Sequence, residues 1–270
     1  SDCGRSSHSY RNNCRQSIRF KFLIFVFKMS KVFVTRPIPE IGLKMLRDKG
    51  YEVAVNFKAR ERAAKEKELT KGAKEADAML SLLTDKITAK VMDAGMPTLK
   101  IIANYAVGFD NIDLEAAKQR NIMVTNTSGV LTNAVAEHTF ALMLAIAHRI
   151  AEADRFSRAG KYKAWGAELL LGTDLSGKTL GIVGLGRIGS RVALHAANGF
   201  EMKVLYYDPK RDLYFEKKYG AAYAADIDEL LPQCDFVSIH VPLLDSTRHL
   251  FNGKRFKKMR PSAYLINTSR

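Results

Sequence analysis

Residues 181–193 read GIVGLGRIGSRVA, and what this stretch becomes decides the fold. Gly184, Gly186 and Gly189 stand as G-x-G-x-x-G, directly behind the apolar run KTLGIVG and in front of a helical pattern. In a strand–turn–helix unit the first glycine permits a tight turn, the second lets backbone approach a diphosphate, and the third lets helix and strand pack closely. The free N–H groups and dipole at the helix start favour an anion. Glycine spacing alone is weak support, but the context adds to it. The next strand pattern, MKVLYYD, ends in Asp208, 19 residues beyond Gly189. An acid there can accept bonds from ribose hydroxyls and repels a 2′-phosphate. The stretch therefore predicts a dinucleotide site with NAD as cofactor. Lys210 and Arg211 follow closely and keep NADP open; another adenosine-type ligand, such as S-adenosylmethionine, is the alternative.

Outward from this turn, short apolar runs alternate with helical patterns. Behind it lie the strand runs KVFVT, YEVAVN, DAMLSLL, KIIANYA and IMVTN. Between them fall a helix from Pro39 to Gly50, a charged helix around 61–74, one capped by Thr88 and one capped by Asp113. Ahead lie MKVLYYD, helices near 212–219, 226–231 and 253–258, and the strands DFVSIHVP and SAYLIN. Strands alternating with helices imply parallel βαβ units. Between the halves, LTNAVAEHTFALMLAIAHRIAEADRFSRAG predicts a long helix whose apolar density suits a buried connector.

The 270 residues, 47% apolar and 26% charged, are ordinary globular composition. No apolar run approaches the roughly 20 residues that span a bilayer. The net charge of +15 raises a nucleic-acid partner. However, residues 1–28 carry six Lys/Arg and one acid, and the other basic residues are interspersed with acids, as in RERAAKEKELTKGAKEAD. That is the pattern of a solvated helix face, so neither nucleic acid nor membrane is expected as a partner. Cys3, Cys14 and Cys234 have no zinc or redox spacing; no metal is expected, and a reducing, cytoplasmic setting is. The leader 1–28 lacks a secretory cleavage pattern. It reads as non-native or disordered sequence, with organelle targeting as the alternative.

In this order VFVTRPIPEIG, LLTDKI, YAVGFDNID, NTSGVLT, GKTLGIVGLGRIG, DFVSIHVPL and INTSR resemble the D-isomer-specific 2-hydroxyacid dehydrogenases, nearest the glyoxylate/hydroxypyruvate reductase branch. The resemblance covers Met29 to Arg270. It implies an α/β fold of two domains, a flavodoxin-like substrate domain at 29–126 and a Rossmann NAD(P)-binding domain at 127–270, each incomplete. It implies hydride transfer between nicotinamide and a small 2-oxo or 2-hydroxy acid, in a homodimer. Position by position, it places substrate-carboxylate binding on Val107 and Gly108, and cofactor binding on Gly184, Leu185, Gly186, Arg187, Ile188, Gly189 and Asp208. His240, Val241, Pro242, Thr247 and Thr268 would complete the cofactor wall, and Arg270 is the implied catalytic arginine. A guanidinium grips carboxylate and carbonyl oxygens in a fixed, permanently charged fork, as such a reduction requires.

The family's glutamate and general-acid histidine would fall beyond Arg270. His138, His148, His195, His240 and His249 come with no carboxylate partner that fits the role. A Rossmann sheet has roughly six strands, and fewer are read here, the last at 262–267. The chain therefore reads as truncated, with little turnover expected of the 270 residues alone. A non-catalytic dinucleotide sensor of the same family, corepressor-like, is the alternative function.

Overall fold

The computed structural model describes residues 30–269; the leader expected at 1–28 and the arginine expected to be catalytic, Arg270, lie outside the described residues. Two parallel sheets follow one another along the chain. The first comprises β1 (Lys31–Val34), β2 (Glu52–Val55), β3 (Ala78–Leu82), β4 (Ile101–Tyr105) and β5 (Met123–Asn126), in the order β2-β1-β3-β4-β5. Parallel neighbours need crossovers. These run through α1 (Glu40–Asp48), α2 (Glu66–Ala73), α3 (Ala89–Gly95) and α4 (Leu114–Gln119). The order is that of flavodoxin-like folds.

The second sheet comprises β6 (Thr179–Val183), β7 (Lys203–Tyr207), β8 (Ala222–Tyr223), β9 (Phe236–Ile239) and β10 (Tyr264–Asn267), in the order β10-β9-β6-β7-β8. Numbered from β6 and read from the β8 edge, this is 3-2-1-4-5, the Rossmann progression. Strand β8 is only two residues long, and no apolar run announces it. Crossovers contain α7 (Arg187–Phe200), α8 (Leu213–Tyr219), α9 (Ile227–Leu230) and α10 (Gly253–Phe256), following α5 (Thr132–Ala147) and α6 (Ile150–Arg158). Apolar clusters cover both faces of this sheet: Phe140, Met143, Ile182, Val192 and Phe236 on one, Val183, Leu205, Ile227 and Val237 on the other. Burial on both sides is what makes β6 continuously apolar.

Local chemistry sets most boundaries. The Asp113 carboxylate accepts from the Ala116 N–H at 2.9 Å and starts α4. Thr88 precedes α3 as expected but makes no cap bond; its Oγ1 is buried and has no partner among the described residues. The charged helix expected around 61–74 starts only at Glu66. Upstream, the Ala64 N–H is committed to Asp85 at 2.8 Å, and Glu68 turns back onto the Lys65 N–H at 2.9 Å.

The single long connector is two helices. Arg149 adopts φ 53, which ends α5, and its guanidinium bonds both Glu152 and the Leu171 carbonyl. The Ala147 carbonyl at the helix end accepts from the Thr173 N–H at 2.8 Å. Gly172 is needed at this crossing, because a Cβ would lie 2.5 Å from that carbonyl oxygen. Nor is α5 buried all round: Ala136, Phe140, Met143 and Ala147 enter the second core, while Leu142 and Ile146 stay exposed.

Candidate functional site

The end of β6 delivers the chain to Gly184, whose φ of +99 suits glycine alone. A Cβ there would lie 2.9 Å from Val241 Cγ1 and 3.0 Å from the His240 carbonyl. The turns after β6 and β9 therefore touch, where the strand order reverses. Gly189, in the first turn of α7, is tighter still: a Cβ would sit 2.0 Å from the Gly184 carbonyl oxygen. Gly186 is the opposite case, exposed, with no atom within 4 Å of a Cβ position. Leu185 and Ile188 pack against the core beneath, and Arg187 is exposed, its guanidinium directed toward Gly129.

This arrangement fits a dinucleotide. Two glycines are required by packing, while the third keeps the turn accessible just where the first N–H groups of α7 lack helical partners. Asp208, at the end of β7, accepts from the Leu185 N–H at 2.9 Å through Oδ2 and from the Lys210 N–H at 2.9 Å through Oδ1. It thus braces the glycine turn. A carboxylate has about four acceptor sites, so these two bonds leave capacity for ribose hydroxyls.

Beside Asp208 stands Arg211, one of the two cations that keep NADP open, in a cluster whose other members the sequence does not single out. Arg211 bonds Glu216 through two nitrogens, each at 2.8 Å, and lies 5.3 Å from the Tyr223 ring centre. The Tyr206 hydroxyl donates to the same Glu216 at 2.8 Å and accepts from the Asp212 N–H. Arg211 holds the Glu216 carboxyl down at about 2. Burial pushes the Tyr206 phenol up to about 12, so its proton stays in the network.

Opposite the glycine turn, Val241, Pro242 and Thr247 line a cavity of about 170 Å³ together with Leu243, Leu250 and Asn267. Thr247 ties this loop down: its hydroxyl donates to the Pro242 carbonyl at 2.6 Å and accepts from the Leu244 N–H at 2.8 Å. The largely buried His240 contacts the Ser238 hydroxyl through Nε2 at 2.8 Å. Burial lowers it to about 4, so it is neutral near pH 7. Thr268, past β10, pairs with Thr139 of α5, oxygen to oxygen at 3.1 Å.

Val107 and Gly108 are built separately, after β4 on the first sheet. Asn126 donates to the Val107 carbonyl and Asn104 to the Gly108 carbonyl, each at 2.8 Å. Asn104 also receives the Ser81 hydroxyl at 2.9 Å. Sequence reading missed these supporting residues, although an amide at the end of an apolar strand was the available signal. It missed Glu216, Ser238 and Thr139 as well, and nothing local marks them.

Comparison with known proteins adds four observations. The family model for the D-isomer specific 2-hydroxyacid dehydrogenase NAD binding domain matches residues 140–270. Glyoxylate reductase of Thermococcus litoralis is 49% identical over 246 residues, covering 89% of this chain and 72% of that protein. Among solved structures, a Thermus thermophilus protein superposes with a TM-score of 0.81 at 43% identity, over 89% of this chain and 74% of the other. The Aquifex aeolicus D-lactate dehydrogenase complexed with NAD and lactic acid gives 0.75 at 32% identity, over 89% and 69%.

Proposed function

This chain belongs to the D-isomer specific 2-hydroxyacid dehydrogenase family, and from that premise we propose that it reduces small 2-oxo acids, with glyoxylate and hydroxypyruvate the foremost substrates. It is an NAD(P)-dependent hydroxyacid oxidoreductase of the glyoxylate reductase branch. The observation that carries this reading is the glycine turn, where Gly184 and Gly189 are sterically obligatory and Gly186 is open.

When bound, the nicotinamide supplies the hydride. The protein's part is to hold and polarise. The first N–H groups of α7 and the turn at Gly186 would take the diphosphate, and Asp208 the adenosine ribose. Val107 and Gly108 would offer backbone N–H groups to the substrate carboxylate. The Arg270 guanidinium would stabilise the negative charge growing on the carbonyl oxygen. His240, neutral at pH 7, walls the site without adding charge. Both sets of loops follow the carboxyl ends of parallel strands, where such sheets bind ligands.

Residues 29–126 would form the substrate domain and 127–270 the nucleotide domain, in a cytoplasmic homodimer. Exposed Leu142 and Ile146, one turn apart on α5, supply an apolar surface for a second copy, and sedimentation velocity should report a dimer. Among the described residues no helix is long and apolar enough to cross a membrane.

The test is to assay a full-length clone with glyoxylate, hydroxypyruvate, pyruvate and phosphohydroxypyruvate, using NADH and NADPH in parallel. Loss of reduced-nicotinamide absorbance with glyoxylate or hydroxypyruvate is expected. Oxidation of neither coenzyme by any 2-oxo acid would overturn the reading.

A further inference from the structure

Resting on that reading of the nucleotide site, we propose that Glu216 is a coenzyme-specificity residue: it holds Arg211 away from the adenosine ribose and so keeps a cation from serving a 2′-phosphate. Arg211 lies only three residues past Asp208, on a segment anchored by the Asp208–Lys210 bond. An arginine at such a place is well suited to a phosphate, because its fork makes paired charge-assisted bonds. Here the Nε–Nη2 edge of that fork is already taken. Its Nε and one of its two outer nitrogens, Nη2, face Glu216 at 2.8 Å each, and its central carbon lies 5.3 Å from the Tyr223 ring centre.

The clamp is itself held. Tyr206 donates to Glu216 from a fully buried ring, and the same hydroxyl receives the Asp212 N–H that leads into α8. Tyr223 reaches back to the Asp208 carbonyl at 3.4 Å, so clamp and ribose acid share one structural unit. Discrimination would then have two parts. Asp208 repels a 2′-phosphate, and Glu216 denies it the nearest arginine. Glu216 acts through Arg211 and not on the coenzyme itself, so it is a positioning residue.

The test is fluorescence titration with NADH and NADPH of the wild-type chain, Glu216→Gln, Arg211→Ala and the double variant, each with its thermal midpoint. Glutamine keeps an oxygen for the Tyr206 hydroxyl while removing the charge that binds Arg211. Glu216→Gln should lower the Kd for NADPH by about fivefold to tenfold, leaving NADH within twofold. Arg211→Ala alone should change neither Kd beyond twofold, and in the double variant the NADPH gain should vanish. An unchanged NADPH/NADH ratio in a folded Glu216→Gln would overturn the proposal, as would a gain that survives removal of Arg211. Should Glu216→Gln fail to fold, Arg211→Ala decides on its own. A fivefold loss of NADPH affinity there would mean that Arg211 already serves the phosphate; no loss supports the clamp. Wild-type protein that fails to bind NADH would instead sink the underlying nucleotide-site reading.

Discussion

The two sheets offer the same kind of place for a ligand and treat it in opposite ways. Each reverses its strand order once, between β1 and β3 in the first and between β6 and β9 in the second. Crossovers leave such a point in opposite directions and open a crevice at the strand ends. In the first sheet the protein fills this crevice itself. Asp85, fully buried, accepts from the Thr35 hydroxyl at 2.6 Å and the Ala64 N–H at 2.8 Å, with Arg36 Nε at 3.4 Å. In the second sheet the equivalent place is lined by backbone, and an exposed glycine stands at its mouth. Two related topologies thus yield one internal ion pair and one open glycine turn. The difference lies in a few side chains and not in the fold.

The contrast can be broken or sharpened by substitution. The largest expected effect is in the filled crevice. Asp85→Ala would remove the carboxylate beside Arg36, leaving that guanidinium only the Arg62 carbonyl and the Thr84 hydroxyl, and would leave two buried donors unmet, at a cost of about 3–5 kcal/mol. Urea denaturation measures this, and NADH affinity of the folded protein should stay within twofold. A parallel fall in affinity would mean the crevices are not independent.

Next comes the acid response of the open crevice. Folded His240 titrates at about 4 because it is buried, below its ordinary 6.5. The unfolded chain therefore takes up a proton first as pH falls. The stabilisation is complete above pH 6.5 and is lost between 6.5 and 4, amounting to roughly 3 kcal/mol at most. His240→Asn should flatten the stability–pH profile in that window; an unaltered slope would rule out the histidine as its source.

Gly189→Ala forces a Cβ against the Gly184 carbonyl. It should destabilise by about 1–3 kcal/mol and weaken NADH binding at least tenfold, readable in one thermal-shift and titration series. The smallest effect on the fold belongs to Gly186→Ala, whose Cβ meets nothing. Its stability should remain within about 0.5 kcal/mol of wild type, yet NADH affinity should drop roughly tenfold. Normal binding by that variant would move the diphosphate elsewhere.

Much of this architecture was legible in the chain. Alternating apolar runs and helical patterns placed every strand except β8, which is too short to carry a periodicity. The Asp113 cap was legible because its bond spans three residues. The break at Arg149 was not, since its cause is a segment more than twenty residues downstream crossing the end of α5. Of the implied site residues on the second sheet, those at 184–189 and 240–247 lie on one turn and the loop it touches, Asp208 braces that turn, and Thr268 lies apart against α5. Their supporting residues were invisible, because Glu216, Ser238 and Thr139 acquire meaning only from what they face.

By itself the sequence determined the parallel α/β order and the glycine turn behind β6, because strand burial and the close approach of Gly189 to the Gly184 carbonyl, five positions apart, are short-range properties of the chain. Tertiary structure alone decided which crevice is filled and which cation is withheld. Thr35 and Asp85 are 50 residues apart, and only the adjacency of β1 and β3 lets hydroxyl and carboxylate meet. Likewise, Arg211 has several acids within reach in sequence, and the buried Tyr206 hydroxyl under Glu216 selects the one it binds.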